Sequence, residues 1–228
     1  MPTTMGNFRP ISKIGAIGKI EDFNMNTYTL KVAGLTRELR YFPIGNGLYI
    51  AGFIMFGDVE LTVRCAEELL KKCPDFDLII TAEAKGIPLA YEMVRQSGMP
   101  KGGLCSPCGG NSCEFPELKN YIVVRKQPKL YMSDVMSVDS HSITTEGTQT
   151  LHLDGADSHR MSGQRVLIVD DVISTGESVA AVERLVVQSG GVVAGRAAVL
   201  AEGDATERAD LVYLERLAIF DESDIRGV

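Results

Sequence analysis

The sequence has no excess of basic residues, no long apolar run and no even set of cysteines. Its 228 residues carry 23 Lys plus Arg against 30 Asp plus Glu, a formal charge of −7. A general nucleic-acid-binding surface would be basic, so that class is set aside, while a local basic pocket for an anionic substrate stays open. No apolar stretch reaches the ~18 residues needed to span a membrane. Met1 to Arg9 has no basic start followed by an apolar core, so no secretory signal is read and a cytoplasmic location is expected. The five cysteines, Cys65, Cys73, Cys105, Cys108 and Cys113, do not look like a disulfide framework. There are no internal repeats.

What is present is a chain with a 45% hydrophobic fraction, enough for a sizeable core. Its length suggests one domain with a small appendage. The organising stretch is Val166-Leu167-Ile168-Val169-Asp170-Asp171-Val172-Ile173-Ser174-Thr175-Gly176-Glu177-Ser178. A continuous apolar run suits a parallel strand buried on both faces. Val179, Val182, Leu185 and Val186 then recur at helical spacing until Gly190-Gly191. Two adjacent carboxylates at the strand end point to opposite sides and serve different partners. As acceptors they suit a vicinal diol, as on a ribose. The Ser174-Thr175-Gly176 turn opens a helix, where backbone N–H groups favour an anion. Strand, loop and helix together read as a ribose-5-phosphate site at the edge of a parallel sheet. A surface strand end with a capped helix is the plainer alternative.

This stretch resembles the motif of the type I phosphoribosyltransferases that binds 5-phosphoribosyl 1-pyrophosphate (PRPP). A second strand–loop–helix unit, Asp77 to about Gln96, carries Ala84-Lys85-Gly86-Ile87-Pro88-Leu89-Ala90, similar to the family's pyrophosphate loop. In the family this loop can hold a non-proline cis peptide. Tyr121-Ile122-Val123-Val124 is a further buried strand, ending in Arg125-Lys126-Gln127-Pro128-Lys129. Its Arg-Lys-x-x-Lys pattern resembles the start of the family's flexible catalytic loop; an exposed basic turn is the alternative.

The resemblance implies a doubly wound, mostly parallel α/β sheet with a small hood. Residues 1–56 would be the N-terminal segment and nucleobase hood, and 57–228 the PRPP-binding core. Strands are expected near 77–82, 121–124, 166–170, 192–200 and 211–214, and a helix from Asp58 to Cys73. Lys31 to Arg40 shows no clear periodicity. Tyr41 to Phe53 is aromatic and glycine-rich, either a hood wall with Tyr49 and Phe53 stacking on the base, or a hairpin whose aromatics fill the core. Leu130 to Glu146 would be a mobile loop, Thr148 to Asp154 its returning strand, and Gly155 to Gly163 a polar turn. Leu217 to Phe220 would pack near the base. The Cys105/Cys108/Cys113 spacing lacks a neighbouring fourth ligand, so reduced thiols in an insertion compete with a metal site.

The chemistry implied is displacement of pyrophosphate from PRPP by a nucleobase nitrogen. Asp170 and Asp171 would hold the ribose hydroxyls. Ile173, Ser174, Thr175, Gly176, Glu177 and Ser178 would hold the 5′-phosphate. Ala84, Lys85 and Gly86, with Arg125, Lys126 and Lys129, would stabilise the leaving pyrophosphate. Mg²⁺ would arrive bound through PRPP, not on a protein cage. Glu146, with His141 as competitor, would be the acid or base for the nucleobase. The base is read as a purine, adenine first, and a homodimer is expected from the family's habit. A PRPP-sensing regulator, or an enzyme for xanthine, hypoxanthine/guanine or orotate, is the alternative.

Overall fold

The protein is described by a computed structural model over residues 27–98, 120–141 and 148–226. The cysteine-rich stretch containing Cys105, Cys108 and Cys113 lies outside the described residues, as do Glu146 and the side chain of His141.

The apolar run becomes β8 (Arg165–Ile173), the middle strand of a five-stranded sheet. Its neighbours are β4 (Leu78–Ala82) and β9 (Val192–Glu202), with β5 (Asn120–Val124) and β10 (Leu211–Leu217) outside them. Every pairing in this sheet is parallel. Both faces of β8 are buried because its side chains alternate between two cores. Leu167 and Val169 join one core with α1 (Val59–Leu70) and α2 (Ile87–Ser97), through Leu61, Leu69, Leu89 and Met93. Val166 and Ile168 join the other with α3 (Gly155–Met161) and α4 (Glu177–Gln188), through Met161, Val182 and Leu185. This is a doubly wound sheet with helices on both faces.

The strand order β10-β9-β8-β4-β5 has a consequence for function. From β4 the chain crosses outward to β5, and from β8 it proceeds the other way to β9 and β10. The order reverses between β4 and β8, and open α/β sheets bind ligands in the crevice at such a point.

A second sheet of four strands has the order β1-β2-β3-β11. β1 (Thr27–Val32), β2 (Leu35–Gly45) and β3 (Leu48–Ala51) form an antiparallel meander, and β11 (Ile219–Asp221) arrives from the far end of the chain to pair with β3. Leu30, Val32, Leu39 and Ala51 pack into the α1/α2 core. Tyr28 and Tyr41 sit against Phe220, with ring centroids 5.1 and 4.9 Å away. Arg37 on β2 ties this sheet to the core. Its Nε donates to Asp58 Oδ2 at 2.6 Å, while Asp58 Oδ1 caps α1 by accepting from the Leu61 amide at 3.0 Å.

Three expectations are corrected. Lys31 to Arg40 is a β-hairpin, its alternation interrupted by Arg37, which stands on the same face as Leu35 and Leu39 and reaches Asp58. Within the expected mobile loop, Met136–His141 forms strand β6, paired with β7 (Thr148–Leu153), because Val138 and Leu151 bury against the α4 side. Gly155–Met161 is a helix, not a turn; Asp154 caps it by accepting from the Ala156 amide, and Met161 is fully buried. The chain closes with α5 (Glu222–Arg226).

Candidate active site

A cavity of about 430 Å³ opens at the C-terminal edge of the central sheet, at the β4/β8 reversal. Asp170 to Val179, Glu83 to Lys85, Lys126, Glu202 and Leu217 border it, and Ile50 to Ile54 roof it from the outer sheet. Among the sequence-derived candidates, Ala84, Lys85, Lys126, Asp170, Asp171, Ile173, Ser174, Thr175, Gly176, Glu177, Ser178 and Phe53 meet here.

The two carboxylates have different surroundings. Asp170 Oδ1 accepts from the Asp171 amide at 2.9 Å. Burial, then the neighbouring Asp171 charge, hold the Asp170 carboxyl well above the ordinary carboxylate value. Asp171 is 5% exposed. Its Oδ2 lies 3.6 Å from Lys85 Nζ and accepts no hydrogen bond among the described residues. A buried acceptor without a donor is costly, so a ligand that brings a donor to it would be stabilising.

The loop after β4 approaches these carboxylates closely because Gly86 lacks a Cβ. A Cβ there would overlap Thr81 Oγ1 and come within 3.1 Å of Asp170 Oδ1. The Glu83–Ala84 peptide in this loop is cis. Glu83 fastens the loop to the end of β5: its Oε2 accepts from the Lys126 amide at 3.2 Å and its Oε1 from Arg125 Nη1 at 3.3 Å. The turn after β8 ends at Gly176, with φ of 78°, which serves as the N-cap of α4. Gly176 offers no side-chain cap, so the first amides of α4 stay available to an anion.

The cations at the end of β5 separate. Lys126 borders the cavity. Arg125 instead donates to Tyr131 Oη at 3.0 Å and faces a second groove of about 550 Å³ along the β5 edge. That groove runs along the outer strand, beyond the strand-order reversal. Lys129 borders neither space, and its amide donates to Met132 sulfur. Tyr49 also lies off the cavity, paired with Pro43 and Phe220 in the outer sheet. Phe53, 4% exposed, fills the core, as in the hairpin reading of that stretch, and also borders the cavity.

Glu202, Gln149 and Leu151 border the cavity without having been singled out from sequence, and Leu217 does so as its segment suggested. Glu202 had a readable signal: like Asp170-Asp171, it is a carboxylate at the end of an apolar strand. Burial pushes its carboxyl above the ordinary value, and Lys85 pulls it partly back. No three metal-ligating side chains converge among the described residues, and none of the described helices is long and apolar enough to cross a membrane.

Comparison with known proteins agrees with this geometry. Residues 63–218 match the model of the phosphoribosyl transferase domain. A hypoxanthine/guanine phosphoribosyltransferase from Methanothermococcus okinawensis is 26% identical, covering 81% of this chain and 85% of that protein. An adenine phosphoribosyltransferase from Cenarchaeum symbiosum is 33% identical, covering 63% of this chain and 75% of that one. The crystal structure of adenine phosphoribosyltransferase from Thermoanaerobacter pseudethanolicus shares the fold, with a TM-score of 0.59 at 23% identity over 78% of this chain and 95% of that one. The chain belongs to the phosphoribosyl transferase family and is a PRPP-dependent phosphoribosyltransferase, with relatives among the adenine and the hypoxanthine/guanine enzymes.

Proposed function

We propose that this protein transfers the phosphoribosyl group of PRPP to a purine, adenine first, releasing pyrophosphate and a nucleoside 5′-monophosphate. The observation that carries the reading is the single cavity that joins the Asp170-Asp171 pair, the 174–178 turn, the Lys85 loop and Phe53.

The bond from C1′ to pyrophosphate oxygen breaks, a bond from a purine nitrogen to C1′ forms, and that nitrogen gives up its proton. The transition state places positive charge on the ribose. Asp170 and Asp171 accept from the ribose hydroxyls and sit beside that charge. The turn amides and hydroxyls at α4 fix the 5′-phosphate and so position C1′. Lys85 and Lys126 face the departing pyrophosphate, with Arg125 and Lys129 reaching it after rearrangement of the 127–147 segment. Closure of that segment excludes water that would otherwise hydrolyse PRPP. The donor set suits a Mg²⁺ ion carried by substrate phosphates, which would neutralise the leaving charge. Glu146 is the proposed acceptor of the base's proton.

The same reading includes a homodimer and a cytoplasmic location. A second base class, hypoxanthine and guanine, is favoured by the Methanothermococcus relative, whose match spans more of this chain than the Cenarchaeum one. The test is pyrophosphate release from PRPP and Mg²⁺ with adenine, hypoxanthine, guanine, xanthine and orotate in turn. Turnover with adenine supports the first reading, and turnover with hypoxanthine or guanine alone supports the second. Tight PRPP binding without turnover would replace both with a sensor.

A further inference from the structure

Glu202 has no task in the reaction as described so far. It ends β9, one residue past Ala201, which pairs with Ile173 on β8. On its other side Glu202 pairs with Leu217 on β10. Its carboxyl borders the cavity together with Phe53 and Leu217, each 4% exposed. Glu202 Oε1 is buried and meets no hydrogen-bond partner among the described residues. An acceptor in that condition is stabilised when a ligand brings a donor.

The direction of the reaction says which part of the ligand arrives there. The leaving-group loop follows β4, and the ribose carboxylates lie on β8. A displacement at C1′ needs its nucleophile on the face opposite the leaving group. Along the strand order, that is the side of β9 and β10, under the outer sheet. Phe53, Leu217 and the Glu202 carboxyl border the cavity on that side, with Lys85 near enough for its charge to act on that carboxyl. That combination suits a flat ring with an N–H-bearing edge.

We propose that Glu202 accepts a hydrogen bond from the 6-amino group of the base, making it a specificity-determining residue for 6-aminopurines. The proposal rests on the phosphoribosyltransferase reading and narrows its substrate. Adenine presents that amino group, whereas hypoxanthine and guanine both carry a carbonyl oxygen at C6. A carboxylate set against that position faces their acceptor with an acceptor. A site built to satisfy a polar group rejects the analogue that leaves it unpaired.

The test is kcat/KM for adenine, guanine and hypoxanthine, with KM for PRPP measured alongside, in the wild type, Glu202→Gln and Glu202→Ala. The wild type should prefer adenine over hypoxanthine and guanine by at least about tenfold. Glu202→Ala should lose about tenfold to a hundredfold on adenine, with KM for PRPP within about twofold of wild type. Glu202→Gln, nearly the same shape, keeps an acceptor for the amino group and gains a donor for a carbonyl, so it should narrow the gap by improving hypoxanthine and guanine. A raised KM for PRPP, an equal loss on all three bases, or a wild-type preference for hypoxanthine or guanine would overturn the assignment while leaving the enzyme reading intact. A wild type inactive with every purine would overturn the enzyme reading itself, and this assignment with it.

Discussion

Lys85 Nζ and Asp171 Oδ2 stand 3.6 Å apart, joining the turn after β4 to the strand end of β8 across the point where strand order reverses. The lysine side chain is 52% exposed and the carboxylate side chain 7% exposed. In the proposed reaction the exposed lysine leaves for pyrophosphate, while the buried carboxylate stays for the ribose. Replacing Asp171 by Asn should therefore lower kcat by about a hundredfold or more, since a group facing developing charge is removed without changing shape. Pyrophosphate release measures it. A variant that keeps near-normal turnover would remove Asp171 from the chemistry.

At Gly86 the loop after β4 has no room for a side chain. Gly86→Ala puts a methyl group onto Thr81 Oγ1, an atom that is itself buried without a hydrogen-bond partner among the described residues. Overpacking of this kind costs about 1–3 kcal/mol. Pairing it with Thr81→Ala removes the overlapped atom, so the double variant should melt above Gly86→Ala alone. Additive losses in thermal denaturation would mean that the loop is displaced for another reason.

Asp170 sets stability against function. Its carboxyl is held well above the ordinary aspartate value, chiefly by burial and next by the charge of Asp171. Between the two values the native state holds the proton more tightly than the unfolded chain, so this group's contribution to stability falls as pH rises through that window. Asp170→Asn keeps an oxygen for the Asp171 amide and cannot ionise. The variant should be inactive yet melt above wild type at neutral pH, with the difference shrinking on acidification. Melting curves across acidic to neutral pH are the measurement, and a constant difference would show that ionisation of Asp170 is not the cause.

Lys126 and Lys129 were equivalent in sequence and are not in space, since only Lys126 of the two borders the cavity. Lys126→Ala should raise the KM for PRPP several-fold before any loop movement matters. Lys129→Ala should act mainly on kcat, because its contribution waits for closure. Steady-state kinetics with PRPP varied separates the two, and identical profiles would mean that both lysines act at the same stage.

The legible parts of the fold were those where one local signal decides the structure. Val166 to Ser178 combines a doubly buried strand, two carboxylates and a helix-opening turn, and the structure brings Asp170 to Ser178 to one cavity. The strands β4, β5 and β9 were legible because parallel strands buried on both faces are continuously apolar. The start of the outer sheet was not, because its solvent face carries Glu38 and Arg40 while Arg37 interrupts the inner face between Leu35 and Leu39. Its first turn, Ala33-Gly34 at φ values of 52° and 77°, puts alanine where Asn or Asp usually marks such a hairpin; Asn46-Gly47 at 53° and 72° is the readable version. Helix α3 escaped because seven residues are too few to display a period. The split between Arg125 and Lys126 depends on the Arg125–His152 backbone bridge, a partner 27 residues away that no local pattern announces.

The roof over the cavity has its own order of assembly. β11 pairs with β3 across most of the described chain, bringing residues 219–221 beside 48–50. Contacts this distant in sequence close late, because they carry the largest loop entropy. The floor of the cavity would then form before its roof, and whatever the roof selects would be the last property the fold acquires.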